Sequence, residues 1–514
     1  MKGKVAFHSL GCRVNIYETG VMGTAMKNAG YEEVPFAPGA DIYVINTCTV
    51  TNVADRKSRQ MLHRAKEMNP QAVVVAVGCY VEDAGEALLA DPAVDVVVGN
   101  ADKARLPEIL ETYFQEIELR ESGLSTVRFP ENAPEPERKW QREDSLCEVS
   151  FPENAPEPER SGKQESKAEG FPEKPSVEGH RAFVGSSVRI NAVQEYEETP
   201  FYADGEHTRA FVKIQDGCNQ FCTYCMIPYV RGRVRSRRME DIVAEVERLS
   251  ALGFREVVLT GIHVSSYGLD FDAPGRNLQT PPAREAKTNV RLLAVLRAVS
   301  EVPGICRIRM GSLEPGIVTE EFAAELAKLP QFCPSFHLSL QSGCDATLAR
   351  MRRKYTTEDY MRICGILRRQ FADAAITTDI IAGFPGETEE EFAATLEFVA
   401  NVHFARTHIF KYSIRRGTIA ARMPGQVPEK VKTERAKRLS EIDAAERSAF
   451  ARRFLGRELE VLLEEYHEDG GYFSGYTRSY VPVRVYGCPG RPGDIQIFVF
   501  TEEKEGELRN LPEE

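Results

Sequence analysis

The chain has 514 residues, a formal net charge of −12 and 42% hydrophobic residues. This length predicts several domains, and because no run of about 18 apolar residues occurs we expect no membrane span. Twelve cysteines occur, and the N-terminus leads into a strand without a signal sequence. That combination indicates a cytoplasmic location and metal ligation rather than disulfides.

The negative charge is concentrated in two segments. Residues 121–204 carry a net charge of −8 and residues 502–514 carry −4, so the remainder of the chain is neutral. A neutral body can hold local basic patches, and the acidity therefore does not exclude a nucleic-acid partner.

Residues 1–120 alternate between apolar strands and amphipathic helices, which is typical of a doubly wound α/β domain with a parallel sheet. The predicted strands are 4–10, 41–46, 72–78 and 94–99. The predicted helices are 15–29, 54–68, 83–90 and 103–118.

Three cysteines of this domain, Cys12, Cys48 and Cys79, each follow a predicted strand. Since the carboxyl ends of parallel strands share the edge of the sheet where ligands bind, these thiols are expected to converge. Their positions predict a cluster held by three cysteines. The alternative, three small core residues, does not explain why each one comes directly after a strand.

Residues 121–204 interrupt the pattern with a repeat, because the ten residues from Phe129 to Arg138 recur at 151–160. The segment is rich in Pro, Glu and Ser and poor in aliphatic residues, so we expect a disordered acidic insert that is dispensable for folding. Cys147 within it is expected to be a bystander thiol, and some strand is expected to return near 181–202.

Residues 205–440 contain six predicted strand–helix units. The predicted strands are 209–216, 255–262, 305–312, 335–341, 375–383 and 406–414. A full barrel of this kind needs eight units, so six predict a partial (β/α)6 barrel that is open on one side and admits a large substrate.

The loop after the first of these strands carries Cys218, Cys222 and Cys225, spaced C-x3-C-x2-C. Three thiolates on one short loop can turn to a single centre, and that centre suits a soft metal ion or an iron–sulfur cluster. A zinc site needs a fourth ligand nearby, and no Cys or His follows within the next thirty residues. The simplest interpretation is a four-iron cluster with one open iron; the alternative is three buried apolar cysteines.

Other polar residues lie in the loops on the same face of the predicted barrel. Taken alone, each is ordinary loop chemistry. It is the resemblance of these segments to the nucleotide-binding barrel of a known family that implies a place near a cofactor for Thr260, Glu314, Gln341 and Asp379. Thr388 and Glu391 form a plausible capping box. His337 and His408 are expected to be strand-packing residues, and four further cysteines are expected to be structural: Cys306, Cys333, Cys344 and Cys364.

A run of arginines that includes Arg231, Arg233 and Arg235 follows the cysteine loop. The ordinary interpretation of a charge run is a solvated face. Beside an active site, however, guanidinium groups bind phosphates or a carboxylate, so these three are predicted RNA contacts.

Residues 441–510 pass from a helix into strand-like alternation and predict a small antiparallel β-barrel. Its alternating tyrosines are core residues or platforms for base stacking. The whole chain is thus expected to be an α/β multidomain protein: a doubly wound α/β domain, an insert, a partial (β/α)6 barrel and a C-terminal β-barrel.

Three stretches resemble one known family. They are Cys218 to Gly232, Leu10-Gly11-Cys12-Arg13-Val14-Asn15-Ile16-Tyr17-Glu18, and Asn46-Thr47-Cys48-Thr49-Val50-Thr51-Asn52-Val53-Ala54. They resemble the methylthiotransferases among the radical S-adenosylmethionine enzymes. Within that family the variants around Cys12 and Cys48 are similar to the subgroup that acts on N6-threonylcarbamoyladenosine at position 37 of tRNA, next to the anticodon.

The resemblance implies two [4Fe-4S] clusters and S-adenosylmethionine as cofactors. Cys218, Cys222 and Cys225 would hold the catalytic cluster, whose open iron binds S-adenosylmethionine and whose electron cleaves it to a 5′-deoxyadenosyl radical. Cys12, Cys48 and Cys79 would hold the auxiliary cluster, which supplies or carries the sulfur. The C-terminal β-barrel would be a TRAM domain, an RNA-binding module similar to the OB fold.

The implied partners are the anticodon stem-loop of tRNA and an electron donor such as flavodoxin or ferredoxin; the sulfur donor stays open. Two alternative functions have the same chemistry with another substrate, either N6-isopentenyladenosine of tRNA or an aspartate of a ribosomal protein. An alternative of a different functional class is a non-catalytic iron–sulfur protein that binds RNA or transfers electrons.

Overall fold

The computed structural model describes residues 2–121, 182–185, 190, 193, 195–199, 208–272, 279–280, 285 and 287–510. Most of the predicted insert, including its repeats and Cys147, lies outside the described residues. In the parts of the chain that are described, no helix has the length and apolar character needed to cross a membrane.

The N-terminal sheet has six strands in the order β2-β1-β3-β4-β5-β6, and every pair is parallel. The strands are β1 (Lys4–Ser9), β2 (Glu32–Glu33), β3 (Ile42–Thr47), β4 (Val73–Gly78), β5 (Val96–Val98) and β6 (Phe183–Val184). In the register, Asn46 lies opposite Ser9 and Thr47 lies opposite Gly78. The three central strands therefore end side by side.

The helices of this region are α1 (Arg13–Asn28), α2 (Asn52–Met68), α3 (Cys79–Ala84), α4 (Glu86–Leu89) and α5 (Leu106–Glu121). The hydroxyl of Thr51 caps α2 by accepting from the Ala54 amide at 3.1 Å. Leu62 of α2 packs into the core over the sheet, whereas α1 contacts both β1 and β7 (Arg209–Asp216). The predicted helix at 83–90 is instead two short helices, because Gly85 adopts a left-handed φ of 52°.

The sheet corrects the predicted extent of the insert. The strand expected near 181–202 is confirmed, because Phe183 and Val184 pair with Val96 and Val97 inside the bounds 121–204 that were given to the insert. The hydroxyl of Tyr196 also donates to the Lys213 carbonyl at 3.0 Å. Disorder up to residue 204 is therefore wrong for these positions, because short ordered pieces pack on the body.

The second region is built on six parallel strands, with one short antiparallel strand, β8, beside the first. The strands after β7 are β8 (Arg235–Ser236), β9 (Glu256–Gly261), β10 (Arg307–Met310), β11 (Ser335–His337), β12 (Ala375–Ala382) and β13 (Arg406–Lys411). The helices are α6 (Ile227–Val230), α7 (Met239–Ala251), α8 (Val290–Ser300), α9 (Glu320–Ala327), α10 (Asp345–Arg350), α11 (Thr357–Gln370), α12 (Glu389–Val402) and α13 (Glu429–Arg452).

These strands form a curved wall in chain order. One sheet has the order β10-β9-β7-β8 and a second has the order β11-β12-β13. Parallel bridges from Ile308 to Phe332 and from Leu313 to Leu338 connect the two sheets. Within the described residues β13 does not pair with β7, so the wall has the open side that six units predict. The predicted capping box of Thr388 and Glu391 at α12 is confirmed.

The C-terminal sheet has six strands in the order β17-β14-β15-β16-β19-β18. They are β14 (Glu458–His467), β15 (Tyr472–Thr477), β16 (Pro482–Tyr486), β17 (Ile495–Val499), β18 (Glu502–Lys504) and β19 (Glu507–Asn510). Phe450 of α13 and Phe454, just after the end of this helix, pack on its core. One expectation is wrong here: the sheet is not fully antiparallel, because β16 and β19 pair in parallel.

A buried ionic network joins the curved wall to the C-terminal sheet, and Glu256 lies at its centre. Arg309 donates to the Glu256 carboxylate at 2.8 Å and to the Thr477 carbonyl at 2.9 Å. Arg307 donates to the Glu460 carbonyl at 2.7 Å and lies 3.4 Å from Glu256. The carboxylate thus orients two arginines that satisfy backbone carbonyls of the sheet.

Candidate active site

The loop after β7 is shaped by Gly217, whose φ is +70°. A Cβ atom at this position would lie 1.8 Å from the carbonyl oxygen of Arg233, so only glycine fits. The next amide, that of Cys218, donates to the Gly232 carbonyl at 3.1 Å. The strand end, the glycine and this hydrogen bond fold the loop back on itself.

The folded loop brings Cys218, Cys222 and Cys225 together. Burial, together with the neighbouring Cys222, raises the pKa of the Cys225 thiol to about 12. Burial also raises the pKa of Cys218 well above its usual value, and Cys225 and Cys222 add to the shift. Three thiolates so close together repel one another, which a shared positive centre would relieve.

A buried arginine reaches this set. Nη1 of Arg353 donates to Sγ of Cys222 at 3.2 Å, and its Nη2 donates to Glu314 at 2.6 Å. Burial alone would raise the pKa of Glu314, but Arg353 and then His263 lower it below its usual value. Glu314 therefore holds Arg353 against the thiol, and direct contact of Glu314 with the cofactor stays a prediction.

A cavity of about 310 Å³ lies beside Cys225 and is lined by Gln341 and Asp379. Gln341 has a left-handed φ of 74°; its amide donates to the Asp379 carbonyl at 2.8 Å, and its carbonyl accepts from Ile381 at 2.9 Å. The strained residue is thus fixed to β12. The structure places Gln341 and Asp379 next to a thiol of the loop, as the cofactor prediction requires, whereas Thr260 lies in another cavity.

The other three thiols meet at the carboxyl edge of the N-terminal sheet. Burial, with smaller contributions from the nearby Cys79 and Cys12, raises the pKa of Cys48 to about 12. A Cβ atom at Gly11 would lie 2.7 Å from Sγ of Cys48, so glycine is needed there for the thiols to converge. Cys48 and Cys79 are buried, while Cys12 faces a cavity.

Arg231 joins this second set from the loop of the first. Its side chain is fully buried; Nε donates to Sγ of Cys79 at 3.2 Å and Nη2 donates to Asn15 at 2.6 Å. Arg235 is also buried and lies 3.5 Å from Asp216. The prediction that Arg231 and Arg235 contact RNA is therefore wrong, since neither reaches the surface. Arg233 is half-buried over the Phe221 ring, and its RNA contact stays a prediction.

Each set fits a cluster better than a single ion. Among the side chains that the structure describes, no three of His, Cys, Asp or Glu are grouped to hold one metal ion. Each set offers three free thiols, and in each a buried guanidinium donates to one sulfur. Such donors match the anionic thiolates that hold an iron–sulfur cluster.

A second cavity, of about 620 Å³, is lined by Cys12 and Arg13, by residues of the curved wall, and by Tyr476 and Tyr480 of the C-terminal sheet. Asp379 and Phe410 line both this cavity and the smaller one beside Cys225. Cys12 of one set and Cys225 of the other therefore line two cavities that have these two residues in common.

His337 and His408 pack against each other with ring centres 5.8 Å apart, and both also line the larger cavity. Nε2 of His337 lies 3.3 Å from the Asp379 carboxylate, and Asp379 is opposite His408 in the strand register. Alternate residues of a barrel strand point inward, so the positions of these histidines on β11 and β13 carried a usable signal. Arg13 and Arg353 were missed because a single charged residue in a helix or loop has no comparable pattern.

Two family models match the chain: Radical SAM superfamily over residues 212–399, and Uncharacterized protein family UPF0004 over residues 4–99. The chain is 35% identical to threonylcarbamoyladenosine tRNA methylthiotransferase MtaB of Bacillus subtilis, over 96% of this chain and 92% of that protein. The chain belongs to the radical S-adenosylmethionine methylthiotransferase family. The resemblance seen in the cysteine motifs is confirmed, and with it two [4Fe-4S] clusters and S-adenosylmethionine as the cofactors of this methylthiotransferase.

Two further methylthiotransferases match this chain over about nine tenths of its length. MtaB of Aquifex aeolicus is 36% identical over 90% of this chain and 93% of its own. The tRNA-2-methylthio-N(6)-dimethylallyladenosine synthase of Moorella thermoacetica is 32% identical over 91% and 89%. The solved radical S-adenosylmethionine methyltransferase TsrM from Kitasatospora setae has a TM-score of 0.52 at 15% identity, covering 82% of this methylthiotransferase and 77% of TsrM. That likeness shows the fold.

Proposed function

We propose that this methylthiotransferase modifies tRNA, converting N6-threonylcarbamoyladenosine at position 37 to its 2-methylthio form. Two relatives with 35% and 36% identity carry the name of this activity, whereas the relative named for the dimethylallyl substrate is 32% identical. The cytoplasm, where tRNA is modified, and an electron donor such as flavodoxin or ferredoxin belong to the same proposal.

The observation that carries the proposal is the pair of adjoining cavities. One is bounded by Cys225 of the loop set and the other by Cys12 of the sheet set, and Asp379 and Phe410 line both. When bound, the clusters and S-adenosylmethionine supply a radical that removes the C2 hydrogen, together with the sulfur and methyl group that replace it. The protein contributes a place where one base is within reach of both sets.

The larger cavity suits a base that has left its stack. Its volume of about 620 Å³ lies in the range of about 300–1,000 Å³ typical of small-molecule pockets. Enzymes that act on bases must expose them, and the open side between β7 and β13 offers an entry. His337 and Asp379 line this space and give it polar groups for orienting a base.

Arg13 is the group that best explains a preference for the threonylcarbamoyl substituent. It lines the larger cavity next to Cys12, with its guanidinium 5.9 Å from the Phe211 ring centre, and no carboxylate of the described residues pairs with it. Arg309 in the same cavity is already engaged with Glu256. A guanidinium binds a carboxylate through charge-assisted hydrogen bonds, and the threonylcarbamoyl group has a carboxylate that a dimethylallyl group lacks.

In this proposal the C-terminal sheet is a TRAM-like module within residues 441–510 and provides a second contact with RNA. The other two proposed domains are residues 1–120 and 205–440. Tyr472 stacks on His467 with ring centres 4.8 Å apart, and Tyr486 lies 5.4 Å away on the next strand. Arg484 lies over the Tyr472 ring at 4.8 Å. Half-buried aromatic rings with an adjacent cation are what base stacking requires.

The test uses enzyme reconstituted with both clusters and three anticodon stem-loops that carry threonylcarbamoyladenosine, isopentenyladenosine or plain adenosine. Nucleoside mass spectrometry should detect 2-methylthio product on the first and little on the others. Equal conversion of the isopentenyl stem-loop would overturn the substrate assignment. Activity only on a ribosomal protein would overturn the assignment to tRNA.

A further inference from the structure

Arg231 belongs to the loop of one set of thiols and touches the other. It follows Cys225 by six residues, just after α6, and its Nε donates to Sγ of Cys79 at 3.2 Å. Its Nη1 donates to Glu18 of α1 at 2.5 Å. One fully buried side chain thus connects the loop that holds Cys218, Cys222 and Cys225 with the sheet edge that holds Cys79.

The charges around Arg231 form a buried network. Its ion pairs join four cations to two carboxylates: Lys103, Lys213, Arg231 and Arg235 to Glu18 and Asp216. The nearby carboxylates of Glu82 and Glu197 also act on these cations. Buried charges are costly unless they are paired. Within this network the Arg231 guanidinium donates to Cys79, and such a donor is suited to an anionic sulfur and to the negative charge of a thiolate-held cluster.

The protonation of Arg231 agrees with this arrangement. An arginine side chain stays protonated in proteins, and this one is held between the carboxylate of Glu18 and the sulfur of Cys79. A guanidinium has only donors, so the sulfur of Cys79 accepts the hydrogen bond and does so best as a thiolate. A stable cation and an N–H···S contact stabilise electron density on the sulfur.

We infer that Arg231 is a positioning residue for the auxiliary cluster: its hydrogen bond and charge hold the Cys79 thiolate and raise the reduction potential of the cluster that Cys12, Cys48 and Cys79 bind. Hydrogen bonds to the sulfurs are among the factors that set such potentials. The inference rests on the family assignment and on this contact, and it is independent of the RNA substrate.

The competing explanation is that Arg231 only neutralises Glu18 and keeps the core folded. A structural role of that kind changes stability and leaves the electronic properties of an assembled cluster alone. Arg353 provides the matching comparison. It donates to Cys222 and should therefore affect the loop cluster rather than the auxiliary cluster.

The experiment uses the anaerobically reconstituted full chain with Arg231→Lys and the double variant Glu18→Gln/Arg231→Gln. The lysine keeps the charge but loses the planar fork that reaches Cys79, Glu18 and Asn15 together. The double variant also removes the carboxylate that would otherwise be left unpaired. Iron content, the electron paramagnetic resonance spectrum and the midpoint potential of each cluster are measured; Cys218→Ala/Cys222→Ala/Cys225→Ala backgrounds isolate the auxiliary cluster.

We expect the auxiliary cluster of either variant to shift to a more negative midpoint potential. At the wild-type midpoint its ratio of reduced to oxidised form should fall at least tenfold, which is about 59 mV for one electron. The other cluster should keep its potential. Arg353→Lys should show the reverse pattern, and Arg255→Gln should change neither cluster, since Arg255 is an exposed arginine 3.9 Å from the unrelated thiol of Cys306.

In a second outcome, Arg231→Lys loses the iron of the auxiliary cluster and keeps that of the loop cluster. This result would also support the inference, because it would show that the auxiliary cluster does not assemble when Arg231 no longer positions Cys79. Unchanged spectra and potentials in both variants would overturn it. So would a uniform loss of both clusters with a lowered melting temperature, which is the result of a purely structural role. None of these measurements uses tRNA, so an error in the proposed substrate would not affect them.

Discussion

Nη2 of Arg353 donates to Glu314 at 2.6 Å while its Nη1 donates to Sγ of Cys222. The carboxylate and the thiol are therefore linked through one buried guanidinium. Glu314 contributes to the cluster loop without being a ligand, and this gives it a role that can be measured.

Glu314→Gln should reduce S-adenosylmethionine cleavage about tenfold, since a hydrogen bond to a charged group is worth about 1.5–3 kcal/mol. Iron content should stay near that of the wild type because all six thiols are retained. Cleavage is followed by 5′-deoxyadenosine release under dithionite. Glu320→Gln, an exposed carboxylate paired with Arg369, is the control; equal activity of the two variants would contradict the role of Glu314.

The two sets of thiols should bind iron independently. Three cysteines in each set imply two four-iron clusters, hence about eight irons per chain, and replacing either set with alanine should leave about half. The variant without Cys218, Cys222 and Cys225 should lose cofactor cleavage. The variant without Cys12, Cys48 and Cys79 should keep cleavage and lose methylthiolation. Cys306→Ala is the control, and an unchanged iron content in the Cys12 set would refute its assignment.

Arg13→Gln should lower kcat/KM on the threonylcarbamoyl stem-loop by roughly tenfold to a hundredfold, because the charge-assisted contact with the carboxylate is lost. On the same stem-loop with a neutral methyl ester in place of the carboxylate, wild type and variant should be equally slow. Iron analysis must show that Cys12, the next residue, still binds its cluster. Arg64→Gln, on the exposed side of α2, serves as control; an equal loss on the ester would argue against carboxylate recognition.

Glu256 should stabilise the C-terminal sheet over a wide pH range. Burial alone would raise its pKa, but Arg309 and Arg209 lower it from 4.5 to about 2. Since the folded-state pKa is the lower one, the stabilisation is fully present above pH 4.5 and is lost as the pH falls through about 2. Glu256→Gln should cost about 3 kcal/mol at neutral pH.

Amide hydrogen exchange at neutral pH can test whether Glu256 stabilises the C-terminal sheet, because it reports on individual strands. Amides of β15 should exchange faster in Glu256→Gln than in the wild type, because Arg309 no longer holds the Thr477 carbonyl. Amides of the N-terminal sheet should be unaffected. The same protection of β15 in both proteins would mean that the network does not dock the C-terminal sheet.

The sequence was most informative where a local pattern coincided with a topological rule. Cys12, Cys48 and Cys79 each follow a buried apolar strand, and parallel sheets bring strand ends to one edge, so their convergence could be predicted. The convergence of Cys218, Cys222 and Cys225 was equally predictable, because all three thiols lie within eight residues of one loop. The six strands of the second region followed from their apolar runs and spacing.

Arg231 could not be predicted correctly from its neighbours. Alternate arginines resemble an exposed basic strip, and burial of this one depends on Glu18 and Asn15, which are more than 200 residues away in sequence. The parallel pairing of β16 with β19 is similar, since strand polarity within a small sheet is set by chain crossings rather than by local alternation. Phe183 and Val184 are too few to give a periodic signal.

Asp379 and Phe410 line both cavities. Residue 410 is 44% exposed, and Asp379 lies on β12 opposite His408 of β13. A substitution at either position therefore changes the space beside Cys225 and the space beside Cys12 at once. At these two positions the room for a cofactor and the room for a base cannot be varied independently.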